Sequence, residues 1–306
     1  MRRLVVLASA SAAGTCLCCL LSCAAGGPPS STQADRIRYG KPRLLCTLEH
    51  RKVDESSGLT AGRRSRGVFW THNDSGDKPR LFAFNIKGKH LGTFDVAGAR
   101  NRDWEDLASF SAGGKHYLVV CDTGDNDRQH AFATLYFVEE PLVDANGPAR
   151  DGRLKVAQTI QLTYADGPQD TEAVAVDSTT KTVYLISKRG KRTVYELPIP
   201  ERAAAAALVA KPVATLNHTP VVAMDISPDG LRAVVLTYFR AHEYVRSPGE
   251  SWAAAFRRPD RTLPTPGRQQ GESICYGPDG RTLYLTSEKL PTPLLEVPAL
   301  PEAPRP

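Results

Sequence analysis

The residues of this chain best suited to chemistry are carboxylates that recur ahead of short apolar runs: Glu55, Glu105, Glu172 and Glu272. Glu172 stands nine residues before a KTVYL run that begins at Lys181, and Glu272 stands the same nine before the RTLYL run at Arg281. Two acidic loops accompany the first pair, HNDSGD at residues 72–77 and DTGDND at residues 122–127. Carboxylates gathered at one place repel and raise one another's pKa. A hard cation such as Ca2+ relieves that repulsion, taking carboxylate, amide and carbonyl oxygens at about 2.3–2.6 Å. The ion ligands expected on this basis are Glu55, Asn73, Asp74, Glu105, Asp122, Asp125, Glu172, Asp225 and Glu272. His72 and Glu272 are the candidates to activate a water molecule. Lys188, Arg189, Tyr238, Arg240 and Lys289 are the candidates to hold an anionic ligand. A purely structural reading stands beside each: the carboxylates cap backbone N–H groups or pair with bases, the acidic loops are Asx turns, and His72 is a packed ring.

Distant carboxylates meet only if the fold brings them together, and the pattern around them is repetitive. Each Glu leads a strand-like run, then a tight turn, a second apolar run and a polar loop: EAVAV and TVYLIS after Glu172, ESICY and TLYLTS after Glu272. The turns SPDG (residues 227–230) and GPDG (residues 277–280) align, which puts Val222 where the other units carry Glu and leaves Asp225 level with Cys275. Third and fourth strands follow in most units. In the fourth unit the last strand is either SWAAAF or missing. Four-stranded units in series, with a strand left over at the front (residues 42–50) and one missing at the back, predict an all-β, single-domain β-propeller. Five blades are counted and six remain compatible, with the front strand closing the ring. In that geometry the start of each first strand and the end of each second strand share one face. One helical connector is expected, over the alanine-rich residues 201–210.

Composition narrows the function classes. The chain has 306 residues with 24 Gly and 23 Pro, 41% hydrophobic and 24% charged, which suits many short strands in one domain. The formal charge is +6, and Arg2 and Arg3 lie in the targeting segment, so no basic face for nucleic acid is expected. No G-x-S-x-G, HExxH, P-loop or dinucleotide fingerprint is present. Residues 1–22 combine a basic start with an apolar stretch and read as a signal peptide. LLSC, ending at Cys23, matches a bacterial lipobox, so Cys23 is expected to carry lipid and residues 23–40 to form a flexible tether. An ordinary signal peptide releasing a secreted or periplasmic protein is the alternative. The domain then covers residues 41–298, followed by a Pro-rich tail at 299–306. Cys46, Cys121 and Cys275 lie within apolar strand patterns and read as small buried residues.

ESSGL from Glu55, the strand ending in Asn73-Asp74, the run LFAFNIKGKHLG from Leu81, and DWED from Asp103 resemble the SdiA-regulated family of exported bacterial propellers. GESI from Gly271 with GPDGRTLY from Gly277 is similar to phytase-like esterase propellers and, more distantly, to calcium-dependent lactonase propellers. The resemblance implies a channel-facing ion held by a Glu and Asn/Asp set, in which Glu55 or Glu272, Asn73 and Asp225 would take part; Val222 departs from that set. Two functions follow as expectations. The first is a membrane-tethered monomer in the bacterial envelope whose acidic mouth binds a small anionic ligand or protein partner, with Ca2+. The second is a Ca2+-dependent hydrolase of phosphoesters or lactones.

Overall fold

A computed structural model of the chain describes residues 37–202 and 204–301. The signal peptide, Cys23 and most of the tether lie outside these residues. Among the described residues the structure is nearly all β, with twenty strands and one four-residue helix, Trp252–Ala255.

The strands form five successive four-strand groups. β1 (Arg43–Thr47) precedes them. The first group is β2 (Ser56–Ala61), β3 (Val68–Asn73), β4 (Arg80–Asn85) and β5 (His90–Ala97). The second is β6 (Trp104–Ala112), β7 (Lys115–Asp122), β8 (Ala133–Glu139) and β9 (Gly152–Tyr164). The third is β10 (Thr171–Asp177), β11 (Thr182–Ser187), β12 (Thr193–Pro198) and β13 (Leu208–Thr215). The fourth is β14 (Val221–Ile226), β15 (Arg232–Thr237), β16 (Ala241–Val245) and β17 (Arg261–Leu263). The fifth is β18 (Ser273–Tyr276), β19 (Leu283–Thr286) and β20 (Pro293–Val297), completed by β1, which pairs antiparallel with β20 from Arg43↔Glu296 to Thr47↔Pro293. Within each group neighbours in sequence pair antiparallel. The long β9 also pairs in parallel with β5 and with β13, joining the first three groups along their outer strands.

Apolar packing runs from group to group. The first strands touch in order, β2 against β6, β6 against β10, β10 against β14, β14 against β18, and β18 back against β2. Five buried apolar clusters fill the spaces between successive groups. One joins the first and second groups around Trp70 and Trp104, and another joins the fifth to the first around Phe69, Phe82 and Leu294. Trp70 and Trp104 are fully buried, each contributing roughly 2–3 kcal/mol of apolar transfer. The first strands are buried along their whole length, SSGLTA and TEAVAVD included, except that β6 is buried only over Trp104–Phe110, because they have neighbouring strands on both faces.

Two expectations need correction. Among the described residues of 201–210 no helix forms: Leu208–Ala210 belongs to β13 and pairs with Leu162–Tyr164 of β9, and Ala204–Ala207 are exposed, with no buried face to hold so short a helix. SWAAAF is not a strand but supplies the short helix, capped by Ser251, and RTL at Arg261–Leu263 is the fourth strand of its group. Ile37, within the expected tether, is buried, the Tyr39 hydroxyl donates to Glu243 at 2.7 Å, and Tyr39 bridges to Ala299, within the expected tail. Cys121 and Cys275 are buried, Cys46 is half-buried, and none of the three forms a disulfide.

Candidate functional site

Four of the five first strands begin with a register irregularity. In β6 it falls between Trp104 and Asp106, in β10 between Thr171 and Ala173, in β14 between Val221 and Ala223, and in β2 between Ser56 and Gly58. The residues thrown out of register are Glu105, Glu172, Val222 and Ser57. Glu272, immediately before β18, occupies the corresponding place in the fifth group. A bulge re-aims the side chain at that position, and Glu105 and Glu172, each at a bulge in a different strand group, come together in one acidic group. The second strands supply the rest, through the residues that follow them: Asp74 after β3, Lys188 after β11, Tyr238 after β15, and Glu288 two residues beyond β19.

Three groups of acidic oxygens result, each with its members within 4.8 Å of one another: Asp74–Asp103–Glu105, Glu105–Asp170–Glu172 and Asp74–Glu272–Glu288. The groups share Glu105 and Asp74, so seven carboxyl groups form one continuous nest. Asp74 and Asp103 are partly exposed and form its open side, whereas Glu105, Asp170, Glu172, Glu272 and Glu288 are buried. Lys188 is the cation in direct contact, paired with Glu172 and lying 5.8 Å from the centre of the Tyr238 ring. The Tyr238 hydroxyl donates to Glu272 Oε1 at 2.8 Å.

Burial is the main electrostatic cost. It raises Glu105 well above the usual carboxylate range, reinforced by Glu172, Asp74 and Asp103. Burial and a hydrogen bond with Glu272 push Glu288 up to about 9, so at neutral pH Glu288 holds the proton and donates it to Glu272. Burial lifts Glu172 to about 8 against the pull of Lys188, and burial together with Asp74 and Asp170 lifts Asp103 to about 6. Burial opposes charge on Lys188 as well, but the Glu172 contact outweighs it and holds the ammonium above its ordinary range. Glu105 and Asp74 each belong to two of the groups, and of the two Glu105 is the buried one, 5% exposed.

Oxygens on opposite sides of a Ca2+ ion bound at 2.3–2.6 Å are about 4.6–5.2 Å apart. The spacing within each group fits that span, and an all-oxygen donor set suits a hard cation.

Other expected residues stand elsewhere, for visible reasons. Glu55 is exposed and in none of the acidic groups; the structural counterpart of Glu105 is Ser57, whose hydroxyl donates to the Glu105 carbonyl at 2.7 Å. Asn73 Nδ2 donates to the Lys52 carbonyl, Asp54 and Asp77, so it organises its own loop. Asp122 accepts from the backbone N–H groups of Arg102 and Asp103. Asp125 accepts from Gln129 N–H, His130 N–H and the His130 ring at 2.7 Å. Asp225 lies within β14 and accepts from Ile226 N–H and, across to β18, from Tyr276 N–H, each at 2.8 Å. His72 is fully buried, edge-on to Trp104 with ring centres 5.4 Å apart; burial lowers its pKa and its Nε2 has no partner, so it is a neutral packed ring. Arg189, Arg240 and Lys289 are exposed. Sequence reasoning missed Asp103, Asp170 and Glu288 as members of the nest. The repeated Asp-x-Glu at 103–105 and 170–172 is the signal that marks the first two.

No protein-family model matches the chain, and no curated protein matches it.

Proposed function

We propose that the chain is a five-bladed β-propeller, exported and anchored through Cys23, whose acidic rim binds a divalent cation, Ca2+, and through it an anionic ligand or partner. The cyclic contact of the five first strands, the five apolar clusters between successive groups and the pairing of β1 with β20 support the propeller. They are what a closed ring of four-stranded blades requires. The lipid anchor rests on LLSC at the expected cleavage site.

One observation carries the cation: Glu105, 5% exposed, lies where two groups of carboxylates meet. Burial and the neighbouring carboxylates push it toward its neutral, protonated form; a divalent ion would displace that proton and neutralise the group, whereas Lys188 is already engaged by Glu172. Asp74, Asp103, Glu105, Asp170 and Glu172 would hold the ion, with the partly exposed Asp74 and Asp103 at its entrance. The test is a melting curve of the mature protein in Ca2+ and in chelator. Ca2+ should raise Tm by several degrees at concentrations well above Kd; coincident curves would remove the cation from this reading.

A second reading, hydrolysis of phosphoesters or lactones, draws on Tyr238, Glu272 and Glu288. A protonated Glu288 beside an acceptor Glu272 is an acid–base pair within hydrogen-bond reach of a phenol, the arrangement general acid–base catalysis needs. Bound Ca2+ would supply charge stabilisation at a substrate oxygen. Turnover of generic phosphate or lactone esters that disappears in Glu272→Gln would favour this reading, and absence of turnover in the parent protein would leave binding alone.

A further inference from the structure

A second group of convergent donors lies outside the acidic nest. His218, on the loop between β13 and β14, His242, in β16, and Asp260, just before β17, bring their ligand atoms within 4.8 Å of one another. His218 Nε2 is 2.8 Å from Asp260 Oδ1 and His242 Nδ1 is 2.7 Å from Asp260 Oδ2, so one carboxylate engages both rings through different oxygens. The rings are stacked, with centres 3.5 Å apart and planes inclined by 14°. Side-chain exposure is 21% for His218, 17% for Asp260 and 7% for His242, which leaves a path from solvent to a largely enclosed centre.

We propose that His218, His242 and Asp260 form a separate site for a borderline transition-metal ion such as Zn2+. Two imidazole nitrogens and one carboxylate are a donor set that such ions take in preference to Ca2+ or Mg2+, and three protein ligands leave coordination positions open. Two nitrogens bound to one tetrahedral ion at about 2.0–2.1 Å are about 3.3 Å apart, so binding draws together ligand atoms that already lie within 4.8 Å of one another. Binding exchanges the two hydrogen bonds to Asp260 for metal–ligand bonds and requires the rings to fan apart on the Asp260 side. The more exposed ring, His218, supplies that movement. The donor chemistry separates this site from the all-oxygen nest, and neither depends on the other being occupied.

The test uses the mature full-length protein in excess Ca2+, so that carboxylate sites are saturated, with Co2+ as a visible-absorption probe and Zn2+ as competitor. The expected result is one-to-one Co2+ binding with d–d bands of a nitrogen-containing site, displaced by Zn2+. Affinity should fall at least about tenfold in His218→Ala and in His242→Ala. His218→Ala, on a loop, serves as the variant that keeps the fold, verified by an unchanged melting response to Ca2+. No Co2+ band in the parent, or affinity unchanged in His218→Ala, would overturn the proposal and leave the cluster as a hydrogen-bonded clamp between the loop and β16.

Discussion

Glu105 is buried among carboxylates that raise its pKa well above the usual range, so in chelator the folded state favours its protonated form. Glu105→Gln mimics that neutral form and is expected to leave stability in chelator within about 1 kcal/mol of the parent while abolishing most of the Ca2+-induced rise in Tm. Urea titrations with and without Ca2+ check both halves, and a variant that keeps the full Ca2+ response would contradict the account. Lys188→Met removes the ammonium that holds Glu172. Burial already lifts Glu172 to about 8, so at neutral pH the acid without its partner takes a proton rather than staying charged. The same titrations should show Lys188→Met losing little stability in chelator at neutral pH and more as the pH is raised; an equal, large loss throughout would contradict the account. Three of the glutamates in the nest, Glu105, Glu172 and Glu272, are legible in the sequence because each precedes its apolar run at a repeated spacing. Glu55 misleads because it shares the composition of that position without its register: the bulged residue of its strand is Ser57.

At the scale of the element, the carboxylates that link neighbouring first strands lie deeper than the nest. Asp106 in β6 accepts from Leu107 N–H, from Val174 N–H of β10 and from Met224 N–H of β14. Asp225 does the same between β14 and β18. Asp106→Ala strands three buried donors, so a loss of about 3 kcal/mol or more is expected in urea unfolding, with Asp106→Asn milder because one acceptor oxygen survives. The order of the strands and their grouping in fours are legible from period-two runs and from the SPDG and GPDG turns. The bulges are not, since an out-of-register residue leaves no mark on the alternation of a fully buried strand. The alanine-rich 201–210 segment fails for a related reason: its local preference is helical, and the distant Leu162–Tyr164 edge draws its last three residues, Leu208–Ala210, into a strand. His218, His242 and Asp260 come from three segments with no common spacing, so nothing in the sequence joins them.

For the whole molecule, pH acts mainly through the nest. Glu288 and Glu172 hold their protons in the folded state up to about 9 and about 8, whereas unfolded glutamates ionise near 4.3. Between these limits the folded state binds more protons than the unfolded one, so stability falls as pH rises. In chelator, Tm is therefore expected to drop by at least about 3 °C between pH 5 and pH 9, and saturating Ca2+ should flatten or reverse that slope. A Tm that rises over this window in chelator would contradict the raised pKa values.

The pairing of Arg43 with Glu296 and of Thr47 with Pro293 sets an order of events on a growing chain. β1, the first strand among the described residues, has no hydrogen-bonding partner until β20 arrives, so its edge stays open while the intervening sheets form. Vectorial folding from the N-terminal side cannot finish this sheet; completion waits for Pro293–Val297, and a nascent chain stalled short of Pro293 leaves β1 and β19 with unprotected edges.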